Sequence, residues 1–317
     1  MEQNIRDVVM IGAGPSALAA AVYTTREDID TVLYEKGVIG GLAAITDQVD
    51  NYPGFADGIP GMQLADQLQK QAERFGAHIE FGDVSEVRDD GTVKTIVVDG
   101  SEVKARAVLI ATGSDYNKLG IPGEAEFYGR GVHYCATCDG AFYRDKKLVV
   151  VGGGNSAVQE AIFLTRFTTH IDLLVRSEIR ASEVLQHQLQ KYVDEGKITV
   201  HLQTSTDEIV ATDGKVTSVS ATKNGEKVSF TTDGVFVFVG LKPNTEFLKN
   251  SGIELDEHGL IKTDIHLMTN LPGVFASGDV RSHATMQIAS AVGEGATAAL
   301  AIREYLDGEK HAGLYAN

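Results

Sequence analysis

The chain has 317 residues, 43% of them hydrophobic, enough to bury a large core and to suggest about two domains. Its formal net charge is −16 with no Lys/Arg-rich block, which makes nucleic acid and anionic membranes poor partners. No apolar run reaches the roughly 18 residues of a membrane span, no basic and apolar leader precedes Asp7, and two cysteines in such a length exclude a secreted disulfide scaffold, so the expected address is the cytosol.

Asp7-Val8-Val9-Met10-Ile11 reads as a buried parallel strand and leads directly into Gly12-Ala13-Gly14-Pro15-Ser16-Ala17, a G-x-G-x-x-A fingerprint opening a helix. The glycines permit a tight turn and close backbone approach, so a pyrophosphate can rest on free N–H groups at the helix N-terminus. Thr31-Val32-Leu33-Tyr34 reads as the second strand and ends in Glu35, roughly 20 residues on, where an acid can accept hydrogen bonds from adenosine ribose hydroxyls. A lone glycine fingerprint is weak evidence. Strand, fingerprint, helix, strand and acid in series point to a dinucleotide.

Apolar residues at helical spacing predict an amphipathic helix over 61–75. Alternation from about Ile79 to Val108, with turn signals at Asp89-Asp90-Gly91 and Asp99-Gly100, predicts a small antiparallel meander. It ends in the apolar strand and small-residue stop Ala107-Val108-Leu109-Ile110-Ala111-Thr112-Gly113, which returns the chain to the dinucleotide sheet.

Both cysteines lie in His133-Tyr134-Cys135-Ala136-Thr137-Cys138-Asp139-Gly140. A C-x-x-C pair can close a small disulfide ring, and its thiols tend to have lowered pKa values, so one sulfur attacks while the other resolves. Asp139 stands where it can move the proton that such exchange requires. A structural disulfide over so short a loop would stabilise little. Zinc held by His133, Cys135 and Cys138 is the other alternative, although no second C-x-x-C or H-x₃₋₅-H completes a tetrahedral set.

The chain then repeats its opening. Lys147-Leu148-Val149-Val150-Val151 is a strand, Gly152-Gly153-Gly154-Asn155-Ser156-Ala157 is a second fingerprint, and a helix continues from Val158 to Phe167. Ile171–Val175 is the second strand of this unit, but Arg176, with Arg180 just beyond, stands where the first unit has Glu35. Cations there suit a ribose 2′-phosphate and point to NADP; the alternative is that both arginines lie on a solvated helix start. A second meander, with turns at Asp213-Gly214 and Asn224-Gly225, leads to the apolar strand Val235–Gly240. Leu119–Gly123 and Leu241–Thr245 are Pro/Gly-bearing segments at the ends of this repeat and read as linkers around an inserted domain. Finally, Gly273–Asp279 gives one more strand ending in Gly278-Asp279, and Gln287 to Tyr305 is a long helical stretch with small residues on one side. The expected fold class is therefore α/β: two Rossmann-like dinucleotide-binding domains, the second inserted into the first, each with a small antiparallel meander.

Gly12-Ala13-Gly14-Pro15, Asn51-Tyr52-Pro53-Gly54, Ala111-Thr112-Gly113, Cys135-Ala136-Thr137-Cys138-Asp139-Gly140, Gly152–Ala157 and Gly278-Asp279-Val280-Arg281 together resemble the low-molecular-weight thioredoxin reductases, in order and over nearly the whole chain. Each glycine motif alone is shared by many flavoproteins; the Cys-Ala-Thr-Cys-Asp-Gly stretch before the second fingerprint is specific. The resemblance implies FAD in a discontinuous domain of residues 1–117 and 245–317, NADPH in an inserted domain of residues 118–244, and a homodimer. It implies hydride transfer from NADPH to the flavin, opening of a Cys135–Cys138 disulfide with Cys138 on the flavin side, attack of Cys135 on a thioredoxin disulfide, and Asp139 as acid/base residue. It further implies rotation of the inserted domain about the two linkers.

The cofactor-binding set expected on fingerprint and resemblance is Gly12, Gly14, Pro15, Ser16, Glu35, Gly41, Asn51, Ala111, Thr112, Gly113, Gly278, Asp279, Met286, Gln287 and Ile288, with Gly152, Gly154, Asn155, Ser156, Arg176 and Arg180; no metal is expected. Two departures stand out. The family commonly has His-Arg-Arg where this chain reads Val175-Arg176-Ser177, leaving NADH or another donor as an alternative to NADPH, and often has Arg where this chain has Met286. The remaining alternatives are a small-dithiol oxidase, a flavin-binding redox sensor that does not turn over, and an alkyl hydroperoxide reductase flavoprotein, whose extra N-terminal thioredoxin-like region has no counterpart here.

Overall fold

The computed structural model describes residues 5–46 and 48–314, with side chains through residue 308. The chain forms two compact units, one from the segment up to Asp115 together with that from Lys242 onward, the other from Tyr116–Leu241. In the first unit β1 (Arg6–Ile11) runs into α1 (Pro15–Thr25), where Pro15 occupies the first turn, a position at which a missing N–H is no loss. β2 (Thr31–Glu35) pairs parallel to β1, and the single turn α2 (Gly41–Ala44) and the amphipathic α3 (Gly61–Arg74) follow. α3 delivers β3 (His78–Phe81) parallel to β2. The antiparallel meander therefore begins later than the expected Ile79: it consists of β4 (Val84–Asp89), β5 (Lys94–Val98) and β6 (Ser101–Ile110). A helix between two strands returns the second strand parallel to the first, and this crossover claims Ile79.

β6 belongs to two arrangements at once. Its first half pairs antiparallel with β5, Val98 opposite Ser101, across the Asp99-Gly100 turn, whose residues have φ of 47° and 79°. Its second half runs parallel to β1, from Arg6 opposite Ala105 to Ile11 opposite Ile110. Lys94, fully buried on β5, is compensated by Asp89, 2.9 Å from its Nζ.

The chain crosses into the second unit in β7 (Ser114–Tyr116). There β8 (Val132–His133), α4 (Ala136–Asp139), β9 (Lys147–Val151), α5 (Asn155–Leu164), β10 (His170–Leu174), α6 (Glu183–Asp194) and β11 (Ile198–His201) precede a meander of β12 (Thr204–Thr212), β13 (Lys215–Lys223) and β14 (Glu226–Thr231). β15 (Gly234–Val237) closes a parallel sheet of order β11-β10-β9-β15-β8. The chain leaves through β16 (Leu241–Pro243), and β17 (Val274–Ala276) then pairs parallel to β6, completing a seven-stranded sheet before α7 (Ile288–Leu314).

Because the central strands are covered on both faces, they read as continuous apolar runs. Val8, Met10, Leu33, Leu109 and Phe275 pack toward α1 and α7, while Val9, Ile11, Val32, Val108 and Val274 pack with Val87 and Ile96 of the meander. α7 lies against α1 at Gly295, where a Cβ would stand 2.1 Å from the Ser16 carbonyl oxygen. Among the described residues no helix is long and apolar enough to cross a membrane.

Gly295→Ala should destabilise the apoprotein by about 1–3 kcal/mol in chemical denaturation, the usual range for overpacking. Gly308→Ala on the same helix, where nothing lies within 4 Å of the added Cβ, should instead be neutral or gain up to about 1 kcal/mol from helix propensity.

Candidate active site

The first fingerprint is shaped by one close approach. Gly12 has φ +98°, and a Cβ there would lie 2.6 Å from the Ala111 carbonyl oxygen, so only glycine permits β6 to return beside this turn. The Gly12 N–H donates to the Tyr34 carbonyl (2.7 Å) and the Ala111 N–H to the Ile11 carbonyl (2.9 Å), fixing the turn between β2 and β6. Nothing lies within 4 Å of a Cβ position on Gly14, which begins α1 without a side-chain cap. Gly41 abuts it: its Cβ position is 3.8 Å from Gly14 Cα. Glu35 caps the same turn, its two carboxylate oxygens accepting from the Ala13 and Gly37 N–H groups, each at 2.7 Å. The open space at Gly14, the free helix start with Pro15 and the carboxylate of Glu35 fit a dinucleotide's pyrophosphate and ribose.

Ser16 turns elsewhere: its buried hydroxyl meets Ser277 Oγ at 2.6 Å and ties α1 to the end of β17. Thr112 Oγ1 donates to the Asn244 carbonyl (2.8 Å), Asn244 Nδ2 to the Thr112 carbonyl (3.0 Å), and the Asn244 N–H to the Gly113 carbonyl (3.0 Å). Ala111-Thr112-Gly113 is thereby fastened where the chain re-enters this unit. Gly278 adopts φ +74° and donates its N–H to Glu294 Oε2 (2.8 Å), while Arg281 binds Glu294 through Nη2 (2.6 Å) and Nε (3.1 Å). Burial, and then the charge of Glu294, push the Asp279 carboxyl up to about 6. Asn51 Nδ2 donates to Gln287 Oε1 (3.0 Å), and Gln287 Nε2 to the Met286 carbonyl (2.8 Å). Ile288 packs with Val49, Ile59 and Leu64, so Asn51, Met286, Gln287 and Ile288 gather at the start of α7.

The inserted unit repeats the device. Gly152 has φ +143°, and its Cβ would lie 2.3 Å from the Phe238 carbonyl oxygen, while Gly154 faces open space. Asn155 Oδ1 accepts from the Ser182 N–H (2.8 Å), and the Arg180 N–H donates to the Gly153 carbonyl (2.7 Å), folding the segment after β10 over the fingerprint. Ser156, Arg176 and Arg180 are exposed, and neither arginine forms an ion pair among the described residues.

The cysteines form a disulfide, with Cα atoms 5.3 Å apart. In this redox state the zinc alternative has no thiolates to use. Cys135 is the N-cap of α4, and its Sγ accepts the Cys138 N–H at 3.2 Å. β8 turns His133 into the core, where its ring stacks on Phe236 with centroids 5.1 Å apart. Its Nδ1 lies 3.2 Å from Asp139 Oδ2 and its Nε2 lies 2.7 Å from the Tyr143 hydroxyl. Burial first, then the charges of Asp139 and Asp233, hold Tyr143 ionisation well above the usual phenol range, so this hydroxyl keeps its proton.

The family described as pyridine nucleotide-disulphide oxidoreductase matches residues 6–295. The chain is 45% identical to a thioredoxin reductase of Listeria innocua serovar 6a, over 98% of this chain and 97% of that protein. It is 42% identical to a thioredoxin reductase of Bacillus subtilis strain 168, over 96% of each. The chain belongs to the thioredoxin reductases. A crystal structure of thioredoxin reductase from Streptococcus pyogenes MGAS5005 superposes with a TM-score of 0.91 at 37% identity, covering 97% of this chain and all of that one. Membership in this family implies a flavin and a nicotinamide cofactor.

Sequence reasoning missed Ser277 beneath Ser16, the Arg281–Glu294 pair behind Gly278, and the contacts of His133, which it offered only as a zinc ligand. The first two carry no local signal. The third had one, since an apolar Val132 beside His133 in a short strand already directs the ring to one face.

In the apoprotein the ionisation of Asp279 should be visible in stability. Its folded pKa lies above the unfolded carboxyl value, so its stabilising contribution is complete below about pH 4 and is lost as pH rises through about 6. Asp279→Asn should match wild type near pH 4 and exceed it by about 2–3 kcal/mol at pH 7, read from denaturant midpoints at each pH.

Proposed function

We propose that the protein is an FAD-dependent thioredoxin-disulfide reductase, taking electrons from NADPH and passing them through Cys135 and Cys138 to a thioredoxin. The observation that carries the reading is the Cys135–Cys138 disulfide with Asp139 adjoining it, on a unit that also holds its own dinucleotide fingerprint. When bound, a flavin would supply the two-electron chemistry that links a nicotinamide to this disulfide.

The chain's own residues do the rest. Gly12, Gly14, Pro15 and the α1 amides receive the pyrophosphate of FAD, and Glu35 the adenosine ribose. Asp279 and Gln287 would hold the ribityl chain and flavin ring, together with Asn51, Met286, Ile288, Ala111, Thr112 and Gly113. Gly152, Gly154, Asn155 and Ser156 would receive the pyrophosphate of NADPH, and the exposed Arg176 and Arg180 would hold its 2′-phosphate.

The two sulfurs differ in environment. The Cys138 N–H that reaches Cys135 Sγ favours a thiolate on Cys135 once the bond is open. Cys135 is accordingly the sulfur that attacks thioredoxin, and Cys138 the one that resolves the mixed disulfide. Asp139 gives the departing thiolate its proton and takes the next one from Cys138. The partner is a thioredoxin or a protein of similar fold, the working form is a homodimer, and the location is the cytoplasm.

Steady-state assays with an oxidised thioredoxin and either NADPH or NADH test this. NADPH should support turnover, and Cys135→Ser and Cys138→Ser should each abolish it while leaving NADPH-dependent flavin reduction in place. Arg176→Ala and Arg180→Ala should each weaken NADPH by about 1–3 kcal/mol and leave NADH unchanged. Turnover that survives either cysteine variant contradicts the reading.

A further inference from the structure

Asp139 faces a physical demand: an acid that donates near neutral pH must hold its proton well above the ordinary carboxyl pKa of about 3.9. Asp139 is partly buried, with 18% of its side chain exposed. The imidazole of His133 lies against it, 95% buried, with Nδ1 3.2 Å from Oδ2. An imidazole keeps its proton to about pH 6.5.

The ring has little freedom. Phe236 stacks on one side, Tyr143 meets its edge, and the Tyr143 hydroxyl occupies Nε2 at 2.7 Å. Tyr143 remains a phenol whose oxygen can accept from an Nε2–H, an arrangement that leaves Nδ1 and Asp139 Oδ2 to share a second proton. The other titratable groups around this cluster are Tyr128, whose ionisation is opposed by burial and then by Asp139, Asp233, which faces Tyr143, and Lys146, 5.6 Å above the Tyr143 ring. Cys135 caps the single turn that carries Cys138 and Asp139.

We propose that His133 is the positioning and proton-storing partner of Asp139, the two side chains holding one exchangeable proton between Nδ1 and Oδ2 for the thiol exchange at Cys135 and Cys138. The inference rests on the thioredoxin-reducing role proposed above and deepens it. In the dithiol enzyme the pair begins with its proton, and Cys135, its own proton released to solvent, attacks the partner disulfide as a thiolate. The partner S–S bond breaks, the enzyme–partner S–S bond forms, and the leaving partner thiolate takes the proton of the pair through Asp139. Cys138 then gives its own proton to the pair and attacks Cys135. The mixed disulfide breaks, the Cys135–Cys138 bond forms, and the second partner thiolate takes a proton from solvent. Two electrons and two protons have moved to the partner, and the pair ends as it began.

The test uses dithionite-reduced holoenzyme mixed in stopped flow with an oxidised thioredoxin from pH 5 to pH 9, for wild type, His133→Asn and His133→Phe. Asn retains an N–H near the Nδ1 position but stores no proton; Phe retains the stacking alone. Wild type should hold its rate below an imidazole-like midpoint of about pH 6–7.5 and lose it above. In both variants the midpoint should fall by at least about one pH unit, leaving rates at pH 8 at least about tenfold slower and rates at pH 5 within about twofold. An unchanged midpoint in either variant, or an equal loss at every pH, overturns the proposal. Independently of any partner, ¹⁵N NMR of histidine-labelled holoenzyme should show the neutral His133 ring protonated on Nε2 and its pKa lowered in Asp139→Asn, which also supplies the assignment if the His133 variants do not fold. A neutral ring protonated on Nδ1, or a pKa indifferent to Asp139, overturns the proposal. Wild-type enzyme that thioredoxin fails to reoxidise at any pH speaks against the functional reading instead, and the NMR result still decides the pair.

Discussion

Both units of this protein depend on one kind of contact, the approach of a returning strand to a glycine at the end of the first. A side chain on Gly12 would lie 2.6 Å from the Ala111 carbonyl oxygen, and one on Gly152 2.3 Å from that of Phe238. Each contact lets a parallel sheet close over its own fingerprint while the next glycine, Gly14 or Gly154, faces open space. Ala111 follows β6 and Phe238 follows β15, the strands that come back from the surface region into each sheet. The constraint is thus long-range in sequence but purely steric, and it ties the shape of each cradle to the register of each sheet.

On this frame the redox pair is held by short-range structure. Cys135 to Asp139 form a single turn, so the disulfide, the Cys138 amide that reaches Cys135 Sγ and the carboxylate are locally encoded. What reaches that turn from farther away is aromatic and polar: His133 from β8, Phe236 from β15 and the Tyr143 hydroxyl. Packing fixes the ring, and the ring presents one nitrogen to Asp139. The first unit places polar support behind its own site in the same manner, with the Arg281–Glu294 pair holding Gly278 and the charge of Glu294 helping to keep the Asp279 carboxyl up near 6.

The repeated strand–fingerprint–helix pattern, the two meanders and the cysteine motif were legible because each is written in consecutive residues with a period or fixed spacing. β3 was not: four residues of His78–Phe81 alternate like a meander strand, and only the preceding α3 and its return to the sheet decide that the pairing is parallel. Ser16 belongs to the fingerprint, yet its hydroxyl is taken by Ser277, far along the chain, and periodicity carries no such pairing. Glu294 sits among the small residues of the last helix, and Arg281 ends the Gly-Asp-Val-Arg motif. Their mutual bond arises from the fold alone.

The most direct measurement is an anaerobic absorbance experiment on the purified, flavin-loaded protein: addition of NADPH, then of an oxidised thioredoxin. The account predicts rapid loss of the oxidised flavin band with NADPH and its recovery on adding thioredoxin. A flavin that NADPH reduces but thioredoxin leaves reduced would contradict the proposed route through Cys135 and Cys138.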